Sequence, residues 1–213
     1  MKSNEKIIIV GLGPGDPSLL TLAAVEAIKN AEVVAYPISR EGGESLAVQI
    51  ASQWITKNKK QLPLIFPMVS EAHERKDAWR KAADTLVKEA LDGQKVVFLS
   101  QGDVSLFSTS SYLLLGLLKN YSEYPVHVIP GITAVSAAAA AAQMPLALQK
   151  EELLILPTPE SPKELESLLQ EGLEKKRVLA LLKLGKRWSW VRNVLVEKDL
   201  LDNSIFVRKV GLE

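Results

Sequence analysis

The chain has 213 residues, 47% of them apolar and 24% charged, with a net charge of +1. That length accommodates one large domain or two small ones, and the near-neutral balance gives no reason to expect nucleic acid or an anionic membrane as partner. Cysteine is absent, which excludes disulfides, thiolate zinc sites and cysteine nucleophiles and fits a reducing, cytoplasmic setting.

The N-terminus, MKSNEKIIIVGLG, runs straight into a strand with no apolar leader. Ile7–Val10 is a continuous β-branched run and reads as a buried strand. It ends in Gly11-Leu12-Gly13-Pro14-Gly15-Asp16-Pro17. A dinucleotide fingerprint needs glycine where Asp16 stands, and no Gly-Lys-Ser/Thr follows, so neither phosphate-binding motif is present. Leu19–Asn30 has helical spacing, with Thr21 or Ser18 as its cap. Glu32–Tyr36 is a second strand closed by Pro37, and Ser39–Gly43 is a polar loop. Glu44–Ile55 follows as an amphipathic helix. Leu62–Phe66 is a third strand stopped by Pro67, and Val69–Leu91 a long helix ended by Asp92-Gly93.

Lys95–Leu99 is the fourth strand, apolar enough to be buried on both faces. It leads into Gln101-Gly102-Asp103. Gly102 permits a backbone shape that other residues resist, or a close approach to the main chain. Asp103 stands at the carboxyl end of a central strand, where open α/β sheets bind ligands; it reads equally well as a cap in a tight turn. A helix over Phe107–Leu118 follows, then a fifth strand, Pro125–Ile129, closed by Pro130-Gly131. The alanine-rich helix Ile132–Gln143 is broken at Pro145. Its run Ala134–Ala142 is too short to span a bilayer, and Ala137–Ala142 reads as close helix packing.

Three strands thus end in loops of small residues that share one sheet edge. Glycine, small side chains and one carboxylate suit a hydroxyl-bearing nucleoside better than a phosphate. After Pro145 the pattern is strand Leu153–Leu156, helix Pro162–Gly172, strand Arg177–Leu182, helix Arg187–Val196 and strand Ile205–Val210. The expected fold class is α/β, with an N-terminal parallel sheet flanked by helices over 1–131 and a smaller α/β lobe over 132–213.

His73 lies on a charged helix face and His127 inside a strand. With no clustered ligands, no metal site is expected. Ser105, Ser108, Ser110 and Ser111 lack a histidine partner, which argues against a hydrolase. Gly185-Lys186-Arg187-Trp188-Ser189-Trp190 reads either as a helix start with two core tryptophans or as a contact for an acidic partner.

Taken together, GLGPGDPSLLTLAA at 11–24, EVVAYP at 32–37, QGDVSLFSTSSYL at 101–113 and VIPGITAVSAAAA at 128–140 resemble the tetrapyrrole methylases in order and spacing. Within that family LIFPM at 64–68, the GESLA segment and FSTSSYL look most like the enzymes that methylate C20 of precorrin-2 or cobalt-factor II in cobalamin biosynthesis. The resemblance implies an S-adenosylmethionine-dependent C-methyltransferase, a homodimer, with two α/β lobes and the cofactor in the cleft between them. It implies cofactor contacts at Leu12 and Pro14, at Gly102, Asp103 and Leu106 for the ribose and methionine portions, and at Thr133 and Ala134. Leu184 would cover the adenine with main chain near Gly211. The substrate is then a polycarboxylate tetrapyrrole, and Arg40, Lys183, Lys186, Arg187 and Arg192 are candidates to bind it. No side chain is singled out as the catalytic base. The family's proline after Gly-Asp is Val104 here, which loosens the expected turn. The family also continues with a further strand beyond a Val-Gly like Val210-Gly211, so the sequence is truncated or the second sheet lacks an edge strand. Alternative readings are methylation of another ring position of a precorrin or uroporphyrinogen III, an RNA methylase of the same superfamily, and a non-catalytic cofactor-binding module.

Overall fold

A computed structural model describes residues 7–67 and 71–212. The chain divides into two compact units, one of Met1–Ala134 with Gly211–Glu213, the other of Val135–Val210.

The first unit is built on a five-stranded parallel sheet in the order β3-β2-β4-β1-β5. Its strands are β1 (Ile7–Gly11), β2 (Val33–Ile38), β3 (Lys60–Ile65), β4 (Val96–Ser100) and β5 (Val126–Ile129). The helices are α1 (Leu22–Asn30), α2 (Leu46–Ala51), α3 (Ala72–Leu91) and α4 (Thr109–Asn120). Successive strand residues feed opposite cores, which is why β1 and β4 are apolar at every position. Ile7, Ile9, Val96 and Phe98 pack with Ala83 and Leu86 of α3 and Leu113 and Leu117 of α4. Ile8, Val10, Val97 and Leu99 pack with Ala24, Ala27 and Ile28 of α1 and Ala47 and Ile50 of α2. Helices therefore cover both faces, and the carboxyl ends of all five strands lie along one edge.

Several boundaries differ from the sequence reading. Pro37 does not close β2, which continues to Ile38. Pairing with β4 stops at Ala35, so Pro37 has a ladder on the β3 side alone. Pro63 is tolerated because β3 is the sheet's edge. The helix expected over Glu44–Ile55 shortens to α2 and a 3₁₀ turn, Ser52–Trp54. The expected start of the long helix at Val69 lies outside the described residues. Thr21 caps α1, its hydroxyl accepting from Ala24 N at 3.1 Å.

The second unit carries a two-stranded parallel sheet of β6 (Glu152–Pro157) and β7 (Arg177–Leu182), with α6 (Pro162–Lys175) and α7 (Trp188–Glu197). Leu165, Val191, Val194 and Leu195 form its core, with Trp188 and Trp190 packed against them. The short helix α5 (Ala134–Ala141) buries only Val135 and Ala137, so most of the alanine run is not packed within this unit. The strand expected over Ile205–Val210 does not form. An extended β-branched run becomes a strand only against a partner ladder, none is formed there, and Lys209 turns the chain into the left-handed region at φ 53°. Among the described residues no helix is long and apolar enough to cross a membrane.

At the edge of the first sheet opposite the strand ends, Lys59 closes α1. Its Nζ donates to the carbonyls of Lys29 at 2.7 Å and Ala31 at 2.5 Å. Those are last-turn carbonyls that the helix itself leaves without donors. Desolvation holds the ammonium pKa below its ordinary value, partly opposed by the nearby Glu32. Replacing Lys59 by Met keeps the stem and removes the donor, and is expected to lower stability by about 1–2 kcal/mol. Urea denaturation would register a lower midpoint with an unchanged slope.

Candidate functional site

The loops after β1, β4 and β5 meet backbone to backbone. Gly13 N donates to Gly102 O at 3.1 Å, and Gly102 N donates back to Gly13 O at 2.8 Å. Leu12 N donates to Ser100 O at 2.8 Å. A Cβ on Gly11 would lie 2.5 Å from Gly131 N and 2.9 Å from Gly102 O, and one on Gly131 would overlap the Gly102 carbonyl. Gly11 and Gly131 are glycines because only hydrogen fits between these main chains. Gly102 differs from the other two. Its φ is +72°, and nothing lies within 4 Å of where its Cβ would stand. The space beside it is open, so a ligand can approach the main chain there.

Asp103 fastens the next layer. Its Oδ1 accepts from Ser105 N at 2.8 Å and from the Ser105 hydroxyl. Its Oδ2 accepts from Gly131 N at 3.0 Å, which bridges the β4 and β5 loops. The capping reading of Asp103 is therefore too narrow: the turn is an Asx-type turn, and the cap of α4 is Ser108. Burial opposes the charge on Asp103, but hydrogen bonds from the Ser105 side chain and from the backbones of Ser105, Gly131 and Val104 outweigh it and hold the carboxyl below the ordinary range. Val104, standing in place of the family's proline, is buried in the core, and the backbone N–H that proline lacks contributes to this effect. The rim thus carries a fixed anion among glycines. That combination accepts hydroxyl and ammonium groups and disfavours phosphates.

Other expected positions are distributed as follows. Pro14 is buried, and Leu12 is wholly buried in the α1–α2 core, so Leu12 offers the rim its main chain. Leu106 and Thr133 are half-buried and Ala134 exposed. Gly211 lies against Gly15 and Asp16, where a Cβ would stand 2.9 Å from Asp16 N. Leu184 belongs to the second unit, packed against its core. Arg40 is exposed in a turn whose carbonyl accepts from Gly43 N at 3.0 Å. Lys183, Lys186 and Arg192 are exposed on the second unit. Arg187 Nη2 donates to both oxygens of the Glu160 carboxylate and so already has an anionic partner. His73 is exposed and His127 half-buried on edge strand β5. Among the described residues no group of three or more His, Cys, Asp or Glu side chains could hold a metal.

Two contributors were not singled out by sequence reasoning: Gly11 and Gly131, which make the contact between the loops. The legible signal was a glycine at the end of each of three apolar strands.

An anionic, glycine-lined rim suits a ligand that brings hydroxyl or ammonium groups rather than a phosphate. Gly131→Ala is expected to destabilise by about 2–3 kcal/mol, because main chain must move. Gly102→Ala is expected to cost only about 1–2 kcal/mol, from its left-handed backbone, while filling the open space. Thermal melts and S-adenosylhomocysteine titration would separate the two: Gly102→Ala loses binding out of proportion to stability. The sign of the pH effect follows from the lowered folded-state pKa of Asp103. Its contribution is present above the unfolded carboxyl pKa and is lost as acid takes the pH down through the folded value. Asp103→Asn should therefore be less stable than the parent near neutrality, and the gap should close below about pH 4 in urea titrations.

Comparison with known proteins gives four findings. The family model described as Tetrapyrrole (Corrin/Porphyrin) Methylases matches residues 6–213. A Cobalt-precorrin-2 C(20)-methyltransferase of Salmonella typhimurium is 29% identical over 209 residues, covering 98% of this chain and 85% of that protein. A Probable cobalt-precorrin-2 C(20)-methyltransferase of Methanocaldococcus jannaschii is 36% identical over 168 residues, 78% of this chain and 69% of that one. Among solved structures, the methyltransferase CobJ superposes with a TM-score of 0.64 at 22% identity, over 91% of this chain and 76% of its own, which speaks to the fold.

Proposed function

The chain belongs to the tetrapyrrole methylases, and from that premise we propose that it transfers the methyl group of S-adenosylmethionine to C20 of precorrin-2 or cobalt-factor II in cobalamin biosynthesis. The observation that carries the reading is the reach of the similarity: a C20-methyltransferase matches this chain over 98% of its length. The site's chemistry agrees with it, through a glycine-lined rim and one ionised carboxylate.

When bound, the cofactor supplies a methyl group already activated by its sulfonium. The chain's own task is alignment. Gly102 gives access to the main chain, Leu12 and Pro14 border the rim, and Asp103 offers its remaining acceptor positions to a ribose hydroxyl or the ammonium. Leu106 and Thr133, both half-buried beside this rim, contact the methionine and ribose portions, with Ala134 following. The nucleophile is the electron-rich C20 of the reduced macrocycle, so the rate gain comes mainly from holding carbon and methyl in line. The exposed cations Arg40, Lys183, Lys186 and Arg192 are the candidates to meet the substrate's carboxylates. Arg187 is a weaker candidate, because its Nη2 already pairs with Glu160.

The test is direct. The protein is incubated with methyl-labelled S-adenosylmethionine and either precorrin-2 or cobalt-factor II, and the label is located by NMR. Label at C20 is expected. Label at another ring position would refute the assigned regiochemistry, and cofactor binding with no methylated tetrapyrrole would overturn the enzymatic reading.

A further inference from the structure

The loop between β4 and α4 poses a mechanical problem. It carries Gly102, Asp103 and Leu106, and it contains two residues with left-handed backbone: Gly102 at φ 72° and Phe107 at φ 50°. Phe107 is neither glycine nor asparagine and is 41% exposed, so packing does little to hold it there. Something at the loop's ends must fix its shape.

Three serine hydroxyls stand at those ends. Ser100 closes β4, Ser108 caps α4, and Ser110 lies in the first turn of α4. Ser100 Oγ is 2.6 Å from Ser110 Oγ and 3.0 Å from Ser108 Oγ, and Ser108 Oγ is 2.5 Å from Ser110 Oγ. Ser100 is 4% and Ser110 2% exposed. Each hydroxyl has one proton to donate. Three hydroxyls in mutual contact use their three protons on one another, so none remains for a ligand. The cluster can hold the loop but has little with which to bind. Buried hydroxyls with no partner would be costly, and here each satisfies the next. Ser100 also joins the clamp to the glycine rim, since its carbonyl accepts from Leu12 N. A fourth serine works alongside: the Ser111 hydroxyl donates to Val104 O at 2.7 Å, drawing the middle of the loop onto α4.

We infer that the Ser100–Ser108–Ser110 hydroxyl triangle is the positioning device of the cofactor loop, setting where Gly102 and Asp103 stand without touching the cofactor. The inference rests on the assignment of that loop to S-adenosylmethionine. Ser100 is a positioning residue: Ser100→Ala cuts the strand-to-helix tie and leaves the Ser108 cap intact.

Two measurements on the full chain test this. In titrations with S-adenosylhomocysteine, Ser100→Ala and Ser110→Ala should each raise Kd by about threefold to tenfold, the effect of one lost net hydrogen bond. The double variant should bind no more than marginally worse than either single, because one closed unit is broken in all three. Hydrogen exchange of the ligand-free protein should show faster exchange at residues 102–106 and at Gly131, with α3 unchanged. Affinities equal to the parent with only a lower melting temperature would make the triangle merely structural and overturn the inference. Fully additive losses, or unchanged exchange in the loop, would overturn it as well. If the parent protein itself failed to bind S-adenosylhomocysteine, the proposed function would fall, while the exchange arm would still decide whether the triangle fixes the loop.

Discussion

The rest of the first unit's chemistry depends on one steric constraint: three main chains from adjacent parallel strands touch at Gly11, Gly102 and Gly131. Strands in a sheet are spaced by their hydrogen bonds, and their loops normally diverge once the ladder ends. Here they stay together, because Gly13 and Gly102 continue exchanging hydrogen bonds past the last ladder pair. A single Cβ at Gly11 or Gly131 would push the loops apart. Their closeness gives Asp103 a donor on a different strand's loop, and open space remains beside Gly102.

The electrostatics follow from that geometry. A carboxylate at a strand end surrounded by water would be an ordinary acid. Asp103 is instead held by backbone N–H groups and a neighbouring hydroxyl, and their combined effect outweighs the penalty of its burial. A rim with a committed negative charge and little positive charge of its own differs in kind from the helix-terminus nests that hold phosphates. That difference suits a ligand with ammonium or hydroxyl groups better than one with a phosphate. The replacement of proline by Val104 works in the same direction, since it restores an N–H next to the carboxylate while the valine side chain fills the core.

The seryl hydroxyls add a different kind of control. The glycines determine how near the loops come, and the carboxylate determines what they attract. The triangle at Ser100, Ser108 and Ser110 determines the conformation of a loop that contains two left-handed residues. Ser100 takes part in both layers, through its carbonyl to Leu12 and its hydroxyl to α4. A change there reaches the rim through the main chain rather than through any contact with a ligand.

The alternation of fully apolar strands with amphipathic helices was enough to specify a parallel sheet covered on both faces, because β1 and β4 must satisfy two cores at once. The motif blocks around Gly102 and Gly131 were enough to place the chain in its family, as the match over residues 6–213 bears out. Element ends were less legible. Pro37 looks like a terminator in sequence, yet whether a proline stops a strand depends on which neighbours pair beside it. Ile205–Val210 has the composition of a strand, but a strand needs a ladder and none is formed there. The bond from Gly131 N to Asp103, the contact of Gly11 with Gly131 and the hydroxyl ties from Ser100 to Ser108 and Ser110 join residues 8 or more apart in sequence. Local pattern names the residue types at such points; only the packed chain decides which of them meet, because contact between loops is set by strand order and register, which no single segment encodes.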